Sequence, residues 1–261
     1  MGLVKILLTF DDGPHAAPGA LNGTRTVLQA LKANGIIAAF YIQTGVAYRM
    51  ADAEGRKVIQ EANGVKHVIE IHTAGTVDHQ KHWVKPELLA QDLPKAVAAI
   101  EKVTNRRPKT IRAVGLELAN PKATKKVRDA TKKRLLDIYA DSQLGHMGIN
   151  VDSFDNTKAY WVEGNRLDRT PNPDEVREAL RKGIAFALKS GPQDLVVLFH
   201  DLNMATRSNI GVYIGEIRTA VTAAGHTPSF TASRSEVESF LSPPKVDDNA
   251  AWELDKKRRP S

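Results

Sequence analysis

The chain has 261 residues, 42% of them hydrophobic, with 37 Lys and Arg against 30 Asp and Glu, a formal net charge of +7 and no cysteine. That length holds one large α/β domain or two small ones, and without cysteine any metal must be held by His, Asp or Glu rather than by thiolates. No apolar run approaches the roughly eighteen residues of a membrane-spanning helix, so the expectation is a soluble chain with no membrane partner.

In chain order, LVKILLTF (residues 3–10) predicts a buried strand that runs straight into Asp11 and Asp12. The start is not expected to be a signal peptide, because its apolar stretch is too short. Nor does it match a myristoylation signal, since Ile6 stands where Ser or Thr belongs. Cytosol and export from a cleaved precursor both stay open. GTRTVLQALKANG (23–35) predicts a helix stopped by Gly35, and IIAAFYI (36–42) a strand. DAEGRKVIQEANG (52–64) predicts a helix, KHVIEIH (66–72) a strand, and residues 85–105 a helix kinked or broken at Pro94. KTIRAV (109–114) predicts a strand, and residues 120–136 a helix with Pro in its first turn. The second half continues with a strand over 147–153, a helix over 172–191, the strand DLVVLFHD (194–201), and helices over 211–225 and 235–241. From residue 242 the chain turns polar and predicts a poorly ordered tail, leaving residues 1–241 as one domain.

Regular βα alternation implies a parallel sheet with helices outside, either an open doubly wound sheet or a (β/α) barrel. In both, ligands bind at the C-terminal ends of the strands. The basic residues do not suggest a nucleic-acid partner. Lys122, Lys125, Lys126, Arg128, Lys132, Lys133 and Arg134 share one helical segment without aromatics, and Lys256, Lys257, Arg258 and Arg259 sit in the tail. A solvated helix face and a frayed end account for them.

The chemically useful side chains collect where the topology asks for them. Asp11 and Asp12 end the first strand and His72 the third; Arg112 lies near the end of KTIRAV, Asp152 and Asp155 end the fifth-strand region, and His200 and Asp201 end LVVLF. Adjacent carboxylates ionise together only beside a cation. A divalent metal would satisfy one and leave the other as a base, with histidines as its natural partners. Such an ion lowers the pKa of bound water. A protonated His200, kept charged by a nearby carboxylate, would supply the leaving group's proton.

The ordered set TFDDGP, HT, an Arg motif, DSFDN and LFHD resembles the NodB-type polysaccharide deacetylases, carbohydrate esterase family 4, from residue 6 to about residue 241. NGTRTVLQALKANGIIAAFYI also resembles the family's segment between its first two motifs. The resemblance implies a single-domain, distorted (β/α) barrel with a metal groove. The implied activity is a hydrolase that removes N-acetyl or O-acetyl groups from a polysaccharide or oligosaccharide through attack of metal-bound water. It further implies that Asp11 is the catalytic base, that Arg112 positions it, and that His200 is the catalytic acid supported by Asp155. Leu198 would line the acetyl pocket, and Asp12 and His72 would hold a divalent ion, zinc by preference.

The chain departs from the family pattern in three places. Thr76 stands where the second metal histidine is expected, and HTAGTVDHQKH offers His79 or His82 instead. His79 is favoured, reading extra residues in the loop. Ala113 and Val114 replace a proline and an aromatic, and Asn156 replaces a tryptophan for which nearby Trp161 could substitute. Two other readings follow. One is a hydrolase of a small cyclic amide or ureide on the same fold; the other is a metal-free, sugar-binding pseudoenzyme.

Overall fold

A computed structural model describes residues 1–16, 23–45, 51–72, 79–113, 118–120, 122–155, 158–162, 165–169, 171–189, 191 and 193–244; of residues 79–80, 158–162 and 165–169 it describes the backbone alone. The elements in order are β1 (Leu3–Gly13), α1 (Gly23–Ala33), β2 (Ala39–Ile42), α2 (Ala53–Gly64), β3 (Val68–His72), α3 (His79–Val84), α4 (Pro86–Thr104), β4 (Thr110–Arg112) and α5 (Lys125–Asp141). Then come β5 (Gly145–His146), β6 (Val151–Asp152), β7 (Lys158–Val162), β8 (Asn165–Arg169), α6 (Pro173–Ala187), β9 (Leu195–His200), α7 (Met204–Ala223), β10 (Thr227–Phe230) and α8 (Arg234–Leu241).

Among the described residues eight strands form one parallel sheet in the order β5-β4-β3-β2-β1-β9-β6, with β10 pairing the start of β1. Its two edge strands, β5 and β6, are joined by residues 147–150 alone. So short a link spans at most about 3.3–3.6 Å per residue, so the sheet has to curl until its edges almost meet. The linking residues are stitched to both sides of the seam. Met147 N donates to Ile111 O at 3.0 Å, and Asn150 N donates to Val196 O at 3.0 Å. The result is a distorted (β/α) half-barrel in a single domain, which resolves the two architectures left open by the alternation.

The strand pleat sorts the side chains into two layers. Ile6, Leu8, Phe10, Phe40, Ile42, Ile69, Ile71, Ile111, Val197 and Phe199 face the helices and share a core with Val27, Leu31, Ile59, Leu93 and Ile214. Leu7, Ala39, Tyr41, Val68, Val196 and Leu198 face inward, where Val237, Phe240 and Leu241 of α8 join them. Ser233 and Glu236 form a capping box at the start of α8, and Glu238 pairs with Lys109 at 3.1 Å, so the helix is fastened beneath the barrel as a plug. An inward set that is apolar low down gives way to polar residues at the upper strand ends.

Several expectations are corrected. Residues 147–153 are not one strand; the seam takes them over, so that only Val151–Asp152 pairs, with β9. Helix α4 runs through Pro94 without a break. Helix α7 begins at Met204, well before the predicted residue 211. The hairpin β7–β8, strand β10 and the short α3 were not foreseen. On the basic helix α5, Lys125 and Lys133 pair with Asp129 and Asp137 of the same exposed face, the solvated arrangement expected.

Phe10 stacks on Phe40 at 5.0 Å and on Phe199 at 5.8 Å, and Phe199 on Tyr213 at 5.9 Å, so one aromatic row ties β2, β1, β9 and α7. Phe10→Ala should therefore cost about 3–5 kcal/mol in chemical denaturation. A loss near that of a surface substitution would contradict the packing.

Candidate active site

In a regular strand Asp11 and Asp12 would point to opposite faces. The structure prevents this with a bulge. Phe10 pairs with Phe40 and Gly13 with Ile42, so Asp11 and Asp12 together oppose Tyr41. Asp12 takes the left-handed conformation, φ 67°, which an aspartate tolerates better than most residues. Both carboxylates then reach the same histidine. His72 Nε2 lies 3.2 Å from Asp12 Oδ1, and His72 Nδ1 lies 3.7 Å from Asp11 Oδ2. Gln43 Nε2 donates to Asp12 Oδ1 at 2.8 Å and fixes that carboxylate from the outer side.

Asp11 is buried, and its partner is Arg112, which is 0% exposed. Arg112 Nη1 donates to Asp11 Oδ1 at 2.7 Å and to Thr9 Oγ1 at 2.9 Å. Its Nε donates to Met147 O at 3.2 Å and its Nη2 to Gly148 O at 3.3 Å, both in the seam. His72 is the register partner of Arg112, and its Nδ1 donates to the Arg112 carbonyl at 3.0 Å. That bond places a proton on Nδ1 and turns Nε2 toward Asp12.

His200 is the register partner of Asp11 across β1 and β9. Its Nδ1 donates to Asp155 Oδ1 at 2.8 Å, and its backbone N–H donates to Asp155 Oδ2 at 2.8 Å. Ser153 Oγ donates to Asp155 Oδ1 at 2.9 Å, and the Thr206 hydroxyl donates to Oδ2. Burial alone would lower the His200 pKa; the charge and hydrogen bond of Asp155 outweigh it, Asp12 and Asp11 add to them, and the pKa is raised to about 10. His72 shifts upward as well: burial opposes the shift, and Asp11 and Asp12 together overcome it. Asp152 instead accepts from Phe154 N at 2.8 Å, a local turn contact, so Asp155 is the carboxylate that meets His200.

The structure thus brings Asp11, Asp12, His72, Arg112, Asp155 and His200 to one rim. Leu198 lies one inward position below His200 and is buried. His79 opens α3, but its side chain is outside the described residues, as are Thr76, Val114 and Asn156 and the Trp161 side chain. His82 is buried in α3, and Ala113 packs partly against the outer core.

A residue that the sequence reading left without a role is Asp201. It is buried, and its Oδ2 accepts from Thr24 Oγ1 at 2.5 Å. Thr24 Oγ1 in turn accepts from His15 N at 2.7 Å. A Cβ on Gly13 would stand 2.6 Å from Asp201 Oδ2, so only glycine lets the carboxylate back up the Asp12 turn. Its signal in the sequence is the HD pair after the apolar strand.

Two donors suit a cation. The lone pairs of His72 Nε2 and Asp12 Oδ1 face each other at 3.2 Å, a repulsive contact unless a proton or metal lies between or beside them. Atoms bound at about 2.0–2.2 Å to one tetrahedral zinc sit roughly 3.3 Å apart, so the spacing fits two ligands of one ion. Among the described residues no third His, Asp or Glu completes the set.

A family model described as Polysaccharide deacetylase matches residues 4–134. Among solved structures the chain is similar to the catalytic domain of a peptidoglycan N-acetylglucosamine deacetylase from Eubacterium rectale, at TM-score 0.61 and 20% identity over 87% of each chain. It is similar to a family 4 carbohydrate esterase from Streptomyces lividans in complex with acetate, at TM-score 0.56 and 21% identity over 87% of this chain and 92% of that one. It is also similar to a family 4 pseudoenzyme from Bacillus anthracis, at TM-score 0.56 and 18% identity over 86% of this chain and 63% of that one. No curated protein sequence matches.

The Asp155–His200 contact sets a pH dependence. Because the folded pKa of about 10 lies above the ordinary 6.5, the stabilisation from protonated His200 is complete below about pH 6.5 and is lost as pH rises through about 10. Asp155→Asn should lower the imidazole titration by about 1–3 pH units in histidine NMR. An unchanged midpoint would show that Asp155 does not hold the proton.

Proposed function

The chain belongs to the polysaccharide deacetylase family, and on that premise we propose that it hydrolyses acetyl groups from an acetylated carbohydrate. The observation that carries the reading is the register pair Asp11–His200. It sets an ionised carboxylate and a protonated imidazole side by side on neighbouring strands, each with its own charge partner. Separate partners are what allow a base and an acid to coexist at one pH.

The roles follow from which atoms are occupied. Asp11 Oδ1 is taken by Arg112, so Oδ2 accepts the proton of the attacking water. The water oxygen bonds to the acetyl carbonyl carbon. His200 Nδ1 is taken by Asp155, so Nε2 gives its proton to the departing nitrogen as the C–N bond breaks. The products are acetate and a free amine on the sugar. The buried inward side chain of Leu198 offers the apolar contact for the acetyl methyl. Asp12 and His72, with His79 as the third donor in our reading, would hold a divalent ion, zinc by preference. When bound, that ion supplies Lewis-acid polarisation and a lowered water pKa. N-acetylated glycans are the substrate class. Replacement of the family's second histidine by Thr76 favours a second reading, a pseudoenzyme that binds such glycans without hydrolysis.

Acetate release from N-acetylglucosamine oligomers with added zinc tests the activity. Asp11→Asn should lower turnover by about 10²–10⁴-fold and leave zinc affinity largely intact; retained turnover would remove Asp11 as the base. In calorimetric titration of zinc into the metal-stripped protein, one tight site should weaken in His79→Ala. A site indifferent to that change moves the third ligand to another residue, His82 first, and no site at all makes the pseudoenzyme reading the better one.

A further inference from the structure

The guanidinium of Arg112 has a contact that its hydrogen bonds do not explain. Its central carbon lies 4.0 Å from the centroid of the Tyr41 ring, face on. Tyr41 and Arg112 are both fully buried. The ring is itself pinned at its far end. Tyr41 OH and Thr110 Oγ1 are 2.9 Å apart, and Thr110 Oγ1 donates its one hydrogen to Glu70 Oε2 at 2.9 Å, so the phenol is the donor to Thr110. Glu70 Oε2 also accepts from the backbone N–H groups of Lys109 and Thr110. Tyr41, Glu70 and Thr110 thus form one row across β2, β3 and β4, directly below the rim.

Arginine's planar fork ordinarily grips a carboxylate with two parallel bonds. Here it gives Asp11 one bond, to Oδ1, and directs three further N–H groups to Thr9, Met147 and Gly148. A rotated guanidinium would engage both oxygens and remove the acceptor that the proposed reaction needs.

Resting on the deacetylase reading above, we propose that Tyr41 is a positioning residue that acts through Arg112: its ring fixes the plane of the guanidinium, so that Asp11 is held by one oxygen and keeps the other for the proton. A cation over an aromatic face is held by the ring's quadrupole, which ring fluorination weakens with little change of shape. The test is therefore a graded series in the full chain: Tyr41→Phe, then 4-fluorophenylalanine and 3,4,5-trifluorophenylalanine at the same position. These nearly isosteric rings avoid the packing loss of a truncation.

With N-acetylglucosamine oligomers and zinc, kcat should fall stepwise, about tenfold from phenylalanine to the trifluoro ring, while KM stays within about twofold. The same series in an Arg112→Ala background should be flat, because Tyr41 has nothing left to position. A flat series with native Arg112, or an equal decline in the Arg112→Ala background, overturns the proposal. If the native protein releases no acetate, the deacetylase reading has failed, and the positioning claim is decided by NMR of the Arg112 side-chain nitrogens. Guanidinium rotation should be slow with phenylalanine and at least severalfold faster with the trifluoro ring; equal rates overturn the proposal.

Discussion

The buried charge of Arg112 is the constraint from which the rest of the site follows. An unpaired guanidinium in a barrel interior would cost several kcal/mol, so the surroundings must supply partners on every side. They do: a carboxylate and a hydroxyl from β1, two carbonyls from the seam, and an aromatic face from β2. Those same contacts bring the two edges of the sheet together and orient Asp11. Closure of the half-barrel and orientation of the Asp11 carboxylate are therefore one structural event. A change that loosens the seam would be felt at the carboxylate through Arg112.

Around this pair the rim separates its charges by giving each ionisable group its own neighbour. Asp11 has Arg112, His200 has Asp155, and Asp12 has His72. The first two pairs are internally neutralised. In the third, His72 is committed through Nδ1 to the Arg112 carbonyl and faces Asp12 with Nε2, while Asp11 and Asp12 together push its pKa up against burial. Asp12 is the most exposed of the three carboxylates and the one placed on a strained turn. Behind Asp12 the side chains of Asp11, Arg112 and Asp155 are buried. In the proposed function a cation would be held at Asp12, with Asp11 and His200 beside it.

Much of this was readable from residue order. Apolar β-branched runs alternating with helical periodicity required a parallel sheet, and in such sheets the strand ends are where chemistry gathers. Asp11, His72 and His200 could be placed there because each follows a largely apolar strand run, and Arg112 because it lies near the end of KTIRAV. What escaped was weakly patterned. Strands β5 and β6 are two residues each, too short for an alternation to show. The hairpin β7–β8 carries charged residues among its apolar ones, and strand β10 begins after a turn with Pro228 inside it. Helix α3 spans six residues, below the length at which helical periodicity can be recognised.

By itself, then, the sequence determined which chemical groups stand at the strand ends, in what order, and that no thiolate is among them. It also determined the inward and outward layers, because the strand period of two is local. The tertiary structure alone decided which groups meet. Strand alternation would separate Asp11 from Asp12, and the bulge against β2 returns both to His72. The DSFDN segment offered two acids, and the fold of that turn gave His200 to Asp155. The stacking of Tyr41 on Arg112 spans two neighbouring strands' separation and had no local signature. Contacts of this kind depend on register, twist and curl, which arise from pairing residues far apart in the chain, and no local pattern encodes them.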